Sequence, residues 1–226
     1  QDLTLLVSSY ENHLDDPKSL TLLFQNLLTA RESLYLQARI IDLNGMEQIR
    51  VDNGPFNTKI ASPSDLQNKS SRDYFIGTLA MTDNQVYWSL IDLNMERGVI
   101  QEPNVATTRA AKVLTDKQGK TTGIVILNLD LNNLYKKIDD FVVSRDLEFL
   151  HTDKKGHFLF HPVEDLRWGG IFPNRKHITI AETIANDISP LLDEIQTIES
   201  IEGSILSVQY SPKNGLHSGY IAVSTP

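Results

Sequence analysis

Around Tyr35 the spacing of apolar residues switches from a helical period to a strand period, and no fold built of one kind of secondary structure accommodates both. Before the switch, Leu3, Leu6, Val7, Tyr10 and Leu14 form one apolar stripe, and Leu20, Leu23, Phe24, Leu27 and Leu28 form a second. Between them Asp16 is a good N-cap and Pro17 suits a first helical position, so two helices or one bent helix are expected. After the switch, "LYLQARIIDLNGMEQIRVD" runs apolar on both sides of Asn44-Gly45, a strong hairpin signal that predicts strands near 35–42 and 46–52. A stretch rich in Gly, Pro, Asn and Ser follows over 53–65. Residues 66–80 then read as a helix capped by Ser64 or Asp65, with Leu66 as an inward anchor.

Further strands are expected in "QVYWSLIDL", "TTRAAKVLTD" and "TTGIVILNLDL", the last two joined by the turn "KQGK", and "NNLYKKIDDFV" reads as a short helix. A second, smaller unit repeats the plan loosely. It has strands in "LEFLHTD" and "HFLFHP", a helix in "ISPLLDEIQTIES", and two closing strands around Asn214-Gly215. This order argues an α+β chain with helices flanking antiparallel sheets: an N-terminal rod over 1–34, a first unit over 35–145 and a second over 146–226. A chain that opens on "QDLTLL" and stops at "IAVSTP" after an apolar run reads as a piece of something longer.

Composition excludes several functions. A formal charge of -8 with no basic stripe opposes binding to nucleic acid, and no apolar run approaches the roughly 18 residues of a membrane span. With no cysteine there is no disulfide, thiolate metal site or thiol nucleophile. "GKT" at 119–121 resembles the end of a phosphate loop, but the glycine required earlier falls on Leu114. No other enzyme or cofactor motif is found, and the acidic residues Asp42, Glu47, Asp52, Asp92, Glu96 and Asp130 pick out no acid/base pair by spacing. His151, His157 and His161 are the best metal candidates, yet Cβ atoms four residues apart on a strand lie roughly 13 Å apart, so they read as strand-surface histidines. The expectation is therefore no enzyme, no cofactor and no metal. "NKS" at Asn68 matches a glycosylation acceptor by pattern only.

The cluster Lys69, Arg72, Tyr74 and Phe75 in "LQNKSSRDYF" carries chemistry. A guanidinium offers a planar fork that matches a carboxylate, and neighbouring rings supply apolar walls. The alternative is that Arg72 pairs with Asp73 or Asp92 while Tyr74 and Phe75 fill the core. Tyr87 and Ser89, on the next strand, are secondary pocket candidates; Arg50 and Arg109 are expected in structural ion pairs with Glu47, Asp52 or Glu96.

The series Asp42, Gly45, Glu47, Arg50 to Asp52, Leu66-Gln67, Lys69-Ser70, Arg72 to Phe75, Tyr87, Ser89, Asp92-Leu93, Glu96, Gly98, Pro103 and Arg109 resembles the double Cache, tandem PAS-like sensor domains of bacterial histidine kinases and diguanylate cyclases. The likeness continues through Gly119, Gly123 to Val125 and Asn128 to Leu131, then Gly156, His161-Pro162 and Trp168-Gly169, and so spans nearly the whole chain. It implies the periplasmic part of an inner-membrane receptor: a long helix from one span, a membrane-distal and a membrane-proximal PAS-like unit, and an exit into a second span. A free periplasmic solute-binding protein is the alternative. The resemblance also implies that Arg72, Tyr74 and Phe75 line the distal pocket and grip a ligand carboxylate. Amino-acid-binding members carry an aromatic residue three before the Arg and an Asp near the end of the strand "GIVILNL"; here stand Lys69 and Asn128, with Asp130 as a substitute if the register slips by two. Exchanging an anion for a neutral amide and adding a cation favours an acidic or polar small molecule, with Lys69 assisting Arg72. A receptor homodimer is the expected macromolecular partner, the isolated domain being monomeric or weakly dimeric through the stripe over residues 3–28.

Overall fold

The computed structural model describes the chain except residues 13–15, 55, 82–84, 184–198, 202–203, 207, 211–218 and 225–226, with side chains up to residue 183. It divides into two compact units, Gln1–Leu131 and Asn132–Pro226.

The first unit opens with helices α1 (Asp2–Asn12) and α2 (Pro17–Ala30). Asp16 caps α2, its carboxylate accepting from the Ser19 backbone N–H at 3.2 Å and the Ser19 hydroxyl at 2.6 Å. Leu3 and Leu6 of α1 and Leu20, Phe24 and Leu28 of α2 are buried, while Val7, Tyr10, Leu23 and Leu27 flank them. The two stripes read from the sequence therefore form one wall of a core; Leu14 lies outside the described residues.

The other wall is a seven-stranded antiparallel sheet. Its strands are β1 (Tyr35–Asp42), β2 (Glu47–Asn53), β3 (Thr58–Ile60), β4 (Tyr87–Trp88), β5 (Asp92–Leu93), β8 (Ala106–Thr115) and β9 (Thr121–Asp130). The order is β3-β2-β1-β9-β8-β4, with β5 also paired to β8. A separate hairpin, β6 (Met95–Glu96) and β7 (Val99–Ile100), lies outside this sheet. The β1–β2 turn forms at Asn44-Gly45 as expected. Gly45 takes φ of +79°, and Asp42 Oδ1 accepts the N–H groups of Asn44 and Met46, both at 2.9 Å.

Register divides the chemistry of the two sheet faces. Ala38, Leu127 and Ala110 sit opposite one another on β1, β9 and β8 and join the helical core, whereas Gln37, Asn128 and Arg109 align one position along and face away from it. Helix α3 (Asp73–Leu79) packs on β8 and β9 from that second side. The middle of β9, Gly123 to Asn128, is buried, which is why it reads as an unbroken apolar run.

One expected element is corrected. The helix read over 66–80 starts only at Asp73, because residues 66–70 run along the β1–β2 turn: Lys69 N–H donates to Gly45 O at 2.7 Å and Glu47 N–H to Gln67 O at 3.1 Å. Extended backbone bound in this way cannot also be helical. Asp65 closes a one-turn 3-10 helix, Pro63–Asp65, instead of capping α3, and Leu66 is only half-buried.

In the second unit, α4 (Asn132–Val143) packs against β10 (Glu148–Thr152) of a four-stranded sheet. The other strands are β11 (Phe158–Phe160), β14 (Val208–Tyr210) and β15 (Gly219–Ser224), in the order β11-β10-β15-β14. The unit also contains a single helical turn, α5 (Ile180–Thr183), and the ribbon β12 (Glu199–Ile201) and β13 (Ser204–Leu206). The expected helix over 188–200 lies outside the described residues except for Glu199 and Ser200, which are in β12; Asn214-Gly215 also lies outside them.

The histidines are a second correction. His157 and His161 are buried at the two ends of β11, not displayed on a strand surface. His157 Nδ1 lies 3.2 Å from Asp153 Oδ2 and its Nε2 3.2 Å from the Lys176 carbonyl, while His161 Nδ1 accepts the Val163 N–H at 3.0 Å. His151 is half-buried, its Nδ1 2.8 Å from the Tyr135 hydroxyl within a cluster of Tyr135, Phe149 and Phe160. Among the described residues no group of three His, Cys, Asp or Glu converges.

Candidate functional site

The second face of the first unit's sheet carries an unusual concentration of buried charge. Gln37 and Arg39 point from β1, Glu47, Arg50 and Asp52 from β2, Asn128 from β9 and Arg109 from β8. Gln67, Lys69 and Arg72 come from the segment leading into α3, Tyr74 from its first turn, and Glu96 from β6. Burying so many ions is tolerable only if they satisfy one another.

Most do. Glu47, with no exposed side-chain surface, lies 3.3 Å from Arg39 Nε and 3.4 Å from Arg50 Nη1, and accepts the Gln67 backbone N–H at 3.0 Å. Arg50 also reaches Asp52 at 3.2 Å, so its expected ion pairs form. Arg109 pairs instead with Asp92, at 2.7 Å. Lys69 Nζ donates to Gln67 Oε1 at 3.0 Å and lies 3.6 Å from Glu96, which also contacts Arg39, Gln37 and Gln67.

The titrations follow. Burial lowers the Lys69 pKa, with Arg39 adding to it. Burial raises Asp52 against the pull of Arg50, and raises Asp92 against that of Arg109. Glu96 goes the other way: burial pushes it up, but Arg39, Gln37, Lys69 and Gln67 together hold its carboxyl down at about 2.

Arg72 is the exception. Five cations (Arg39, Arg50, Lys69, Arg72, Arg109) meet four carboxylates (Glu47, Asp52, Asp92, Glu96) here, and among the described residues none of the four pairs with Arg72. Its half-buried guanidinium lies 5.9 Å from the centre of the Tyr74 ring, and Arg109 lies 5.6 Å from that same ring. Neither Asp73 nor Asp92 makes a direct ion pair with it, although the charges of Arg109 and Arg72 both pull the Asp92 pKa down against burial. Several buried acceptors of this face also lack a hydrogen bond among the described residues: Glu47 Oε1, Asp52 Oδ1 and, on β9, Asn128 Oδ1. Asn128, 1% exposed, donates to Gln37 Oε1 at 2.8 Å, but its Oδ1 is buried with no hydrogen bond.

The remaining candidates are dispersed. Phe75 is buried on α3, and Tyr87 packs its ring against Gly77 of that helix, where a Cβ would collide with it. Ser89 is committed to the sheet, its hydroxyl accepting Arg109 N–H at 3.0 Å and donating to Leu90 O at 2.9 Å. Asp130 is half-buried at the end of β9, opposite Thr107. Sequence reasoning missed Gln37 and Arg39 altogether, although a polar residue at every second position of a strand with apolar neighbours was a readable signal.

A family model of the bacterial histidine kinase sensor domain matches residues 6–197. The chain belongs to that family. Among curated proteins none is similar to it in sequence. Among solved structures, this sensor domain is similar to a domain of a sensory box/GGDEF family protein from Vibrio parahaemolyticus, at 22% identity and a TM-score of 0.81, covering 99% of this chain and 86% of the other. It is also similar to the extracellular domain of the histidine kinase vpHK1S-Z8, at 20% identity and 0.80, with 99% and 80% covered. A more distant likeness, at 13% identity and 0.61 with 99% and 88% covered, is to the ligand-binding domain of the Pseudomonas aeruginosa PAO1 amino acid chemoreceptor PctC, solved with GABA. The sensor domain thus has the mixed α/β, Cache-like fold expected of it. Among its described residues no helix is long and apolar enough to cross a membrane.

Proposed function

We propose that this sensor domain is the periplasmic, ligand-sensing part of a membrane-tethered bacterial receptor, and that its first unit, the membrane-distal one, binds a small carboxylate-bearing molecule. Arg72 is the carboxylate anchor, Tyr74 and Phe75 are apolar walls, and Asn128 Oδ1 takes an N–H or O–H of the ligand. The observation that supports this is the pairing pattern: among the described residues Arg72 is the cation of the cluster with no direct ion pair to its four carboxylates, and Asn128 Oδ1 is a buried acceptor without a donor. A ligand with an anion at one end and a donor at the other would supply both.

Lys69, whose ammonium is already engaged by Gln67 and Glu96, contributes positive potential more than a direct contact. The family assignment favours a receptor over a free solute-binding protein, with the domain itself non-catalytic and a kinase or cyclase as its output. A thermal-shift screen of small mono- and dicarboxylates, followed by calorimetry on Arg72→Ala, tests the reading. Losing charge-assisted hydrogen bonds worth about 1.5–3 kcal/mol predicts roughly 10- to 100-fold weaker binding. Unchanged affinity for every hit overturns it.

A further inference from the structure

The Met95–Ile100 hairpin is held to the first unit in a way its size does not explain. Among the described residues its two-residue strands pair only with each other, and its turn, Arg97-Gly98, has φ of +53° and +80°, with Val99 69% exposed. Apolar packing cannot anchor so small and open a ribbon. Two ionic contacts anchor it: at the turn the exposed Arg97 Nη2 donates to Asp65 Oδ1 at 2.7 Å, and from β6 the Glu96 carboxylate reaches buried donors. Glu96 Oε1 accepts from Gln37 Nε2 at 3.0 Å and from Arg39 Nη2, while Oε2 accepts from Gln67 Nε2 at 2.9 Å with Lys69 Nζ at 3.6 Å.

Donors from β1 and from the segment before α3 thus converge on both oxygens of one carboxylate. Arg39 and Lys69 are buried and fixed, whereas the Glu96 side chain keeps 30% of its surface exposed. This is the construction of a carboxylate receptor, with the guest supplied by the chain itself. If Glu96 left with no replacement, buried positive charge would be stranded. If another carboxylate entered, the charge balance would be kept, and Arg39 would retain Glu47 and Lys69 would retain Gln67 throughout. Exchange is then near balance, the condition under which a small ligand can tip it.

We propose that Glu96 is a built-in occupant of a carboxylate-binding site formed by Gln37, Arg39, Gln67 and Lys69, and that a ligand carboxylate takes over these donors and releases the Met95–Ile100 hairpin. This deepens the reading of the first unit as a carboxylate binder and rests on it, but the site is distinct from Arg72.

The test is chemical rescue on the whole chain. Glu96→Ala vacates the site, so acetate should raise its Tm with a midpoint at least about tenfold below that for wild type, and sodium chloride at equal ionic strength should not. The rescue should persist in Glu96→Ala/Arg72→Ala and vanish in Glu96→Ala/Lys69→Ala. In wild type, saturating acetate should speed amide hydrogen exchange over residues 95–100. Where Glu96→Ala does not fold, Glu96→Gln decides, because its neutral amide should likewise yield to acetate at a midpoint at least about tenfold below wild type. Acetate acting no better than chloride, or rescue that disappears with Arg72→Ala, overturns the inference. The first outcome leaves the Arg72 reading intact, and loss of wild-type ligand binding in Arg72→Ala alone leaves this one intact.

Discussion

At the scale of single residues, charge balance separates groups that hold the fold from groups free to bind. Asn128 stands on the second face of the sheet opposite Arg109, and its spare acceptor is neutral. Asn128→Asp would place an anion there and should shift preference toward ammonium-bearing ligands. Calorimetry on an α-amino acid and its deaminated analogue should show the ratio of their affinities moving by about tenfold toward the amino acid. Glu96 gives a pH prediction. Its folded pKa of about 2 lies below the ordinary 4.5, so its stabilisation is complete above pH 4.5 and is lost as pH falls toward 2. The Tm gap between wild type and Glu96→Gln should accordingly be widest near neutrality and close across that window; a gap independent of pH contradicts the assignment. The contact of Arg72 with the Tyr74 ring was legible in the sequence as a guanidinium beside aromatic residues. The engagement of Lys69 was not, because its partner Glu96 comes from a hairpin far along the chain that no local pattern ties to it.

At the scale of elements, legibility followed the strength of local signals. The Leu stripes, the Asp16-Pro17 boundary and the Asn44-Gly45 turn each rest on chemistry contained within a few residues, and each formed where expected. The helix over 66–80 failed because a tertiary partner outbid helical propensity: the β1–β2 turn binds the backbone of residues 67 and 69. Gly45 is the hinge of that arrangement, since a Cβ there would strike the Ser70 backbone and would also require positive φ. Gly45→Ala should therefore destabilise by more than the roughly 1 kcal/mol of the backbone term alone, and should weaken ligand binding by displacing the segment that carries Arg72. Urea unfolding and calorimetry on the same variant check both effects. Phe24→Ala, at a fully packed site on the opposite face, should cost about 3–5 kcal/mol while leaving the ligand affinity of the folded fraction unchanged.

At the scale of the whole molecule, the division at Leu131 places every proposed ligand contact and the entire helical core in the first unit. Strand order gives this a physical basis, because β9 is the last strand of the seven and pairs with both β1 and β8, so the sheet is complete by Asp130. The sequence reading set its boundary at 145 because α4 follows β9 without a break, and nothing in a helix's own residues says which sheet it will cover; α4 packs on β10. A fragment of residues 1–131 therefore contains both walls of its core and both halves of the buried ion network. It should unfold cooperatively in urea and bind the carboxylate hits of the intact domain with affinity unchanged within about threefold, that is, less than about 0.7 kcal/mol. A fragment that folds but has lost binding would overturn the assignment of the ligand site to the first unit.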